Sequence, residues 1–141
     1  MANEIRATFT LQITKGELKE NISISFLDDM VAEPAAGSPG RIVVSAQGTD
    51  VDLSKITNPG WGYFKNLDDT NYVELGVWNP DQSEFYPFAL IKPETGFIMP
   101  LNPNINEEYA GTGTGTTGQL NTLRLLAQNA SCECDVRIFE Y

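Results

Sequence analysis

The chain has 141 residues and a hydrophobic content of 41%, which suits one domain over residues 1–141 and excludes an intrinsically disordered chain. Nine lysines and arginines stand against 19 aspartates and glutamates, so the formal net charge is −10. Nucleic acids and anionic membranes need clustered basic groups, so we expect neither as a partner. The absence of histidine excludes Ser-His-Asp and Cys-His catalysis and histidine-ligated metal centres.

The first thirty residues predict a β-hairpin. Apolar residues occupy every second position from Ile5 to Ile13, and this alternation is typical of a half-buried strand. A short turn follows at residues 15–17, and the alternation resumes from Leu18 to Phe26. Residues 1–10 contain no apolar run of the kind found in secretory signals, so we expect synthesis in a cytosol.

The rest of the chain predicts further strands separated by turns rich in Gly, Pro, Asn and Asp. We expect them at residues 41–47, 51–53, 61–65, 72–78, 85–92, 97–101, 120–127 and 133–141. No segment has helical periodicity. The sequence therefore predicts an all-β chain of eight to ten strands, folded as an antiparallel, jelly-roll-like β-sandwich. An immunoglobulin-like sandwich and a small barrel are the alternatives.

The cysteines and carboxylates are the first candidates for chemistry. Cys132 and Cys134 are two residues apart, which is a poor spacing for a disulfide between them. Two thiolates also do not complete a zinc site. We therefore expect both cysteines to be buried and to act as small apolar side chains. Asp pairs at residues 28–29, 50–52 and 68–69 could supply oxygen ligands for Ca²⁺ if two such loops meet. Aspartate is also a common turn residue, which accounts for these pairs without a metal ion. We therefore expect no catalytic residue, no metal site and no cofactor.

A glycine- and threonine-rich run from residue 111 to residue 118 lacks the Gly-Lys-Ser/Thr ending of a phosphate-binding loop. It has no apolar anchor, so it is either a mobile loop or an arm that becomes ordered against a neighbouring subunit. Under the second interpretation its residues belong to an assembly interface: Gly111, Thr112, Gly113, Thr114 and Gly115.

The polar face of the first strand is a second candidate for assembly. It is an uncharged ribbon without a lysine to protect an edge: Thr8, Thr10, Gln12 and Thr14. An exposed strand edge of this kind is normally blunted in a monomer. If the strand lies at a sheet edge, we expect it to pair with or pack against another copy. Inside a sheet, the same ribbon is an ordinary solvated face.

Aromatic residues in the predicted strands offer a possible platform for sugars, with Trp61 and Trp78 as the candidates for ligand stacking. Aromatic residues are favoured in strands, where they also fill cores and pack between sheets. The sequence leaves both interpretations open.

Residues 63–76 read Tyr-Phe-Lys-Asn-Leu-Asp-Asp-Thr-Asn-Tyr-Val-Glu-Leu-Gly, and this stretch resembles small β-rich structural proteins of tailed bacteriophages. In that family an Asn-Leu-Asp-x-Thr-Asn turn precedes a Val-Glu-Leu/Ile-Gly strand. Residues 90–93 and 97–101 also resemble that family, as the end of one apolar strand and a second apolar strand on either side of a glycine turn. Independently of kinship, Asn66, Asp68 and Asn71 can cap a tight reversal with their side chains, and Thr70 adds a hydroxyl.

The resemblance implies a non-enzymatic capsid decoration, or cement, protein on the exterior of an icosahedral head, made in the host cytoplasm. Its implied partners are the major capsid protein and other copies of itself, most simply as a homotrimer, because symmetric capsid junctions favour symmetric oligomers. The alternative is a glycan- or receptor-binding β-sandwich module of a tail or fibre. A glycan hydrolase is a third option, but this sequence shows no recognisable pair of catalytic carboxylates.

Overall fold

A computed structural model of the chain describes residues 5–28, 38–53, 56, 59–102 and 122–140. The chain forms two compact units, Met1–Pro34 and Ala35–Tyr141. Every regular element among the described residues is a β-strand, which confirms the all-β prediction. No helix in these ranges has the length and apolar character needed to cross a membrane. The expectation of one domain stays a prediction, since a lone two-stranded hairpin is at best marginally stable in water.

The first unit is the predicted hairpin. Strands β1 (Ile5–Lys15) and β2 (Leu18–Asp28) pair antiparallel along their full length, from Ile5 opposite Asp28 to Lys15 opposite Leu18. Gly16 in the turn has φ of +58°, a left-handed conformation that glycine adopts without steric cost. Alternation along each strand therefore places apolar and polar residues on opposite faces of the hairpin.

The second unit contains two four-stranded antiparallel sheets, with strand orders β3-β10-β5-β8 and β4-β9-β6-β7. Its strands are β3 (Ser38–Val44), β4 (Thr49–Asp50), β5 (Pro59–Asn66), β6 (Val73–Asn79), β7 (Glu84–Ile91), β8 (Gly96–Pro100), β9 (Thr122–Ala127) and β10 (Cys132–Glu140).

The pairing in the second unit is nested. The first strand pairs with the last, the second with the next to last, and so on inward: β3–β10, β4–β9, β5–β8 and β6–β7. Two further pairings, β10–β5 and β9–β6, join these ladders into the two sheets. A long hairpin rolled up in this way is a jelly roll, so the predicted jelly-roll-like sandwich is confirmed. The order differs from the ABED and CFG sheets of an immunoglobulin-like domain.

The core lies between the two sheets and is built from alternate residues of the strands. Val136 and Ile138 of β10 and Leu123 and Leu125 of β9 are completely buried in it. Cys132 and Cys134 are free thiols in the same cluster, as the sequence predicts.

Two predicted strand boundaries are wrong. The third strand spans residues 38–44 rather than 41–47, because Ser45 and Thr49 close a turn: the Ser45 amide donates to Thr49 Oγ1 at 3.0 Å. The strand predicted at 51–53 lies at Thr49–Asp50 instead. Val51 and Leu53 are nevertheless buried, so their alternation reflects core packing from an irregular segment.

The turn that carries the family resemblance is held by side chains, as the sequence predicts. Asn66 is completely buried and donates from Nδ2 to the carbonyls of Asn71 at 2.8 Å and Ile91 at 3.3 Å. Its Oδ1 accepts the Asp68 amide at 3.0 Å. Asp68 Oδ1 in turn accepts the amides of Asn71 at 2.6 Å and Thr70 at 2.8 Å, and these bonds lower the pKa of that carboxyl.

We expect Asn66→Ala to lower the free energy of unfolding by about 2–3 kcal/mol, because it leaves buried carbonyl groups and one amide without partners. Urea unfolding followed by tryptophan fluorescence checks this, since Trp61 and Trp78 both lie in the second unit. Gln47→Ala, in an exposed turn of the same unit, is the matched control and is expected to change stability by less than about 0.5 kcal/mol. Equal losses in the two variants would contradict the role of Asn66.

Candidate assembly interface

One face of the hairpin is a continuous row of apolar side chains. Residues directly opposite each other in an antiparallel pair share a face, and Phe9 lies opposite Ile24 and Leu11 opposite Ile22. The face, named here the hairpin's apolar face, consists of Ala7, Phe9, Leu11, Ile13, Leu18, Ile22, Ile24 and Phe26.

Much of the hairpin's apolar face is open to solvent. Leu11, Ile22 and Ile24 are 53%, 49% and 59% exposed. Phe9 and Phe26 cover part of each other, with stacked rings 5.9 Å apart between centroids. Soluble monomers rarely expose apolar residues in contiguous rows, and such rows mark interaction sites. The prediction of a half-buried β1 is thus wrong beyond Phe9, where every residue of the strand is exposed.

The opposite face carries the predicted polar ribbon, and the structure places all four of its residues in solvent: Thr8, Thr10, Gln12 and Thr14. The hydroxyls of Thr8 and Ser25 hydrogen-bond at 3.1 Å, and those of Thr10 and Ser23 at 3.3 Å. In the described part of the chain β1 pairs with β2 alone, so it is an edge strand. The role of the ribbon in assembly stays a prediction, and the exposure of the apolar face behind it was not predicted.

A second exposed apolar row lies on β7, the edge strand of its sheet. It consists of Phe88 and Leu90, each about half exposed. Tyr86 lies beyond a register shift and opposite Val77, whose partner on β9 is the buried Leu123, so Tyr86 is on the other face. The ladder between β6 and β7 shifts register at residues 75–76, and Pro87 offers no amide, so the backbone edge itself is poorly suited to strand addition. This row, named here the β7 row, therefore offers side chains rather than backbone groups to a partner.

The structure does not bring the two candidate stacking residues together. Phe64 of β5 points into the core, so Trp61 three positions earlier lies on the outer face of that sheet, where it is only 5% exposed. Trp78 lies on the outer face of the other sheet. The Arg124 guanidinium covers its ring at 4.0 Å from the centroid and is itself held by Asp50, with Nε donating to Oδ1 at 2.6 Å.

A shallow groove of about 270 Å³ opens beside Trp61 on the outer face of β5, β8 and β10. Tyr63, Ile98 and Phe139 form its apolar wall. Arg137 lines it as well, 5.8 Å from the Tyr63 ring centroid, with its charge paired to Asp135 at 3.1 Å. The groove suits an uncharged, flat group better than an anion.

The glycine- and threonine-rich candidates lie outside the described residues: Gly111, Thr112, Gly113, Thr114 and Gly115. Among the residues that are described, no group of three or more His, Cys, Asp or Glu side chains is placed to hold a metal ion.

Several carboxylates of the second unit have structural partners instead. Asp50 pairs with Arg124, Glu133 with Arg41 at 3.1 Å, and Glu74 Oε2 accepts from Gln128 Nε2 at 2.9 Å.

The buried thiols are expected to be unreactive in the folded chain. Burial raises the pKa of Cys134 to about 12 and also raises the pKa of Cys132, which Asp68 raises further. Titration with a thiol-specific disulfide reagent near pH 8.5 should therefore modify neither thiol in the native protein and both in guanidinium. Rapid modification of native Cys134 would show that this part of the core opens to solvent.

Comparison of the chain with family models, with curated proteins and with solved structures gives no match. The resemblance of residues 63–76 to phage structural proteins therefore remains an expectation. Function is inferred below from the chain's own surfaces and charges.

Proposed function

We propose that this chain is a structural virion protein that decorates and stabilises a bacteriophage capsid. The observation that carries the proposal is that apolar side chains are exposed in rows, on the hairpin's apolar face and on the β7 row, rather than singly. The resemblance of residues 63–76 supports it, as does a jelly-roll fold, which many viral capsid domains share. The fold supports it by analogy only.

A cement protein acts by adding buried area across the junctions of a shell. Each copy that binds the assembled shell more tightly than its separated subunits shifts the equilibrium toward the intact particle. The proposed partners are the major capsid protein and further copies of this chain, as a homotrimer. Its net charge of −10 helps to keep the protein soluble in the host cytoplasm before it reaches the capsid exterior.

No catalytic step belongs to the proposal. Two of the carboxylates hold the fold: Asp68 caps the turn after β5, and Asp50 orients Arg124 over Trp78. Both buried thiols are held in the protonated form by their raised pKa, which removes them as nucleophiles near neutral pH.

The groove beside Trp61 favours the second candidate, a glycan- or receptor-binding module of a tail or fibre. Its wall of Tyr63, Ile98 and Phe139 offers apolar surface on which a sugar ring can stack. Immunogold labelling of the parent particle separates the two candidates. Label over the head supports decoration, label at the tail tip supports the second candidate, and intact particles without label contradict both.

We expect the purified chain to bind heads that lack it and to raise the temperature at which they rupture, because binding stabilises the intact shell. Phe88→Thr combined with Leu90→Thr should weaken binding at least tenfold by removing apolar area from the β7 row. Val43→Thr, an exposed apolar position on β3 in the other sheet, is the matched control. Heads of unchanged heat resistance would contradict the function, and equal losses in both variants would contradict the β7 row as the contact.

For the groove, we expect no saccharide of the host surface to change the fluorescence of Trp61, which lines it, because capsid decoration requires no sugar there. Fluorescence titration with cell-wall and capsule saccharides measures this. Saturable quenching that is lost in Tyr63→Ala, with Tyr72→Ala as an exposed aromatic control, would favour the glycan-binding module instead.

A further inference from the structure

The groove beside Trp61 is rich in hydrogen-bond donors and poor in acceptors. The polar side-chain groups that line it are the Trp61 indole, the Tyr63 phenol and the Arg137 guanidinium. An indole and a guanidinium only donate hydrogen bonds, so the phenol oxygen is the one side-chain acceptor among the described residues of the lining. A ligand that suits this groove therefore brings acceptors and few donors of its own.

The charge in the groove is balanced within the protein. Arg137 Nε lies 3.3 Å from Asp135 Oδ1, and Nη2 lies 3.1 Å from Oδ2. Among the described residues Nη1 has no such partner, so it can donate to a carbonyl group of a ligand. An uncharged ligand therefore gains a hydrogen bond here and leaves the pair of charges intact.

We propose that the groove binds a proline-rich segment of another protein in the polyproline II conformation. Proline has a carbonyl oxygen but no amide hydrogen, and a polyproline II chain makes no internal hydrogen bonds, so its carbonyl groups are free to accept. Its rings are compact and apolar, and segments of this kind dock in grooves lined by aromatic side chains. This binding activity goes beyond capsid decoration and does not depend on it.

The hydrogen-bonding groups favour such a segment over a glycan. A sugar ring can stack on the same wall, but each of its hydroxyl groups brings a donor that needs an acceptor when water is excluded. The phenol of Tyr63 meets that need once, and the nearby carboxylate of Asp135 already accepts from Arg137. The carbonyl groups of a prolyl segment need only the donors that the groove has.

The spacing across the sheet also matches polyproline II. Ile98 lies opposite Tyr63, and Tyr63 opposite Arg137, so the groove crosses β8, β5 and β10. Neighbouring strands are about 4.8 Å apart, which separates β8 from β10 by about 9.6 Å. One turn of polyproline II is three residues and advances about 9.3 Å. Two prolines three residues apart would thus lie over Ile98 of β8 and Phe139 of β10.

Calorimetric titration of the full chain with decaproline, blocked at both ends and therefore uncharged, tests the proposal. We expect saturable binding with a dissociation constant of about 0.1 mM, which is weak because the groove holds only about two rings. The affinity should be equal at about 0.1 and 0.5 M salt, since no charge is exchanged. A blocked glycine-serine peptide of the same length is the control and should not bind, because it has no rings to stack and is flexible.

Substitutions in the groove locate the binding. Tyr63→Ala should weaken it at least about tenfold, whereas the same truncation of the exposed Tyr72, which does not line the groove, should change it less than about twofold. Ile98→Thr, at a half-exposed position of the edge strand β8, should weaken it about threefold and replaces Tyr63→Ala if that variant does not fold. Its matched control is Val43→Thr on β3, at the other edge of the same sheet.

Several outcomes would overturn the proposal: no binding of decaproline at up to about 2 mM, equal binding of the glycine-serine peptide, or equal losses in the variants and their controls. Binding of a saccharide but not of decaproline would assign the groove to a glycan instead. A dimer in sedimentation that Tyr63→Ala abolishes would assign it to a second copy. A chain that binds heads but not decaproline retains the proposed function and loses this inference, and the reverse result rejects the function alone.

Discussion

The fold of the second unit depends on its last two strands, because each is interior to one sheet. β10 lies between β3 and β5, and β9 lies between β4 and β6. Their inward residues are completely buried in the shared core, as Leu125 and Val136 illustrate. Neither sheet is continuous until residues 122–140 have paired with strands far earlier in the chain. Pairing over such distances makes folding slow compared with a fold built from local contacts.

The features that sequence predicted well are those fixed by local physics. Alternation of period two located most strands, and the Gly16 turn set the hairpin register. The turn after β5 was predictable in atomic terms, since Asn66 and Asp68 form the expected side-chain caps. The boundary errors have the opposite cause. Val51 and Leu53 alternate and are buried, yet they lie outside a strand, because burial and backbone pairing are separate requirements.

The candidate interface was not predictable from alternation, and two strands show why. Cys134, Val136 and Ile138 on β10 alternate with polar residues and are buried at about 0–1% exposure. Residues 9, 11 and 13 of β1 follow the same pattern, yet Leu11 is 53% exposed. Period-two alternation shows that a strand has an apolar face. It does not show whether the cover for that face belongs to the same chain, which only the tertiary arrangement decides.

Division of the chain into a two-stranded hairpin unit and an eight-stranded sandwich unit bears on how assembly would proceed under the proposed function. A hairpin that is marginally stable alone becomes ordered when its apolar face is covered. Part of the binding free energy is then spent on this ordering, so each contact is weak. Weak contacts remain reversible while copies find their places. On a symmetric shell, an oligomer would bind several shell subunits at once, and the effective concentration of each further contact strengthens the whole. Weak individual contacts are thus compatible with a firmly held layer on the finished particle.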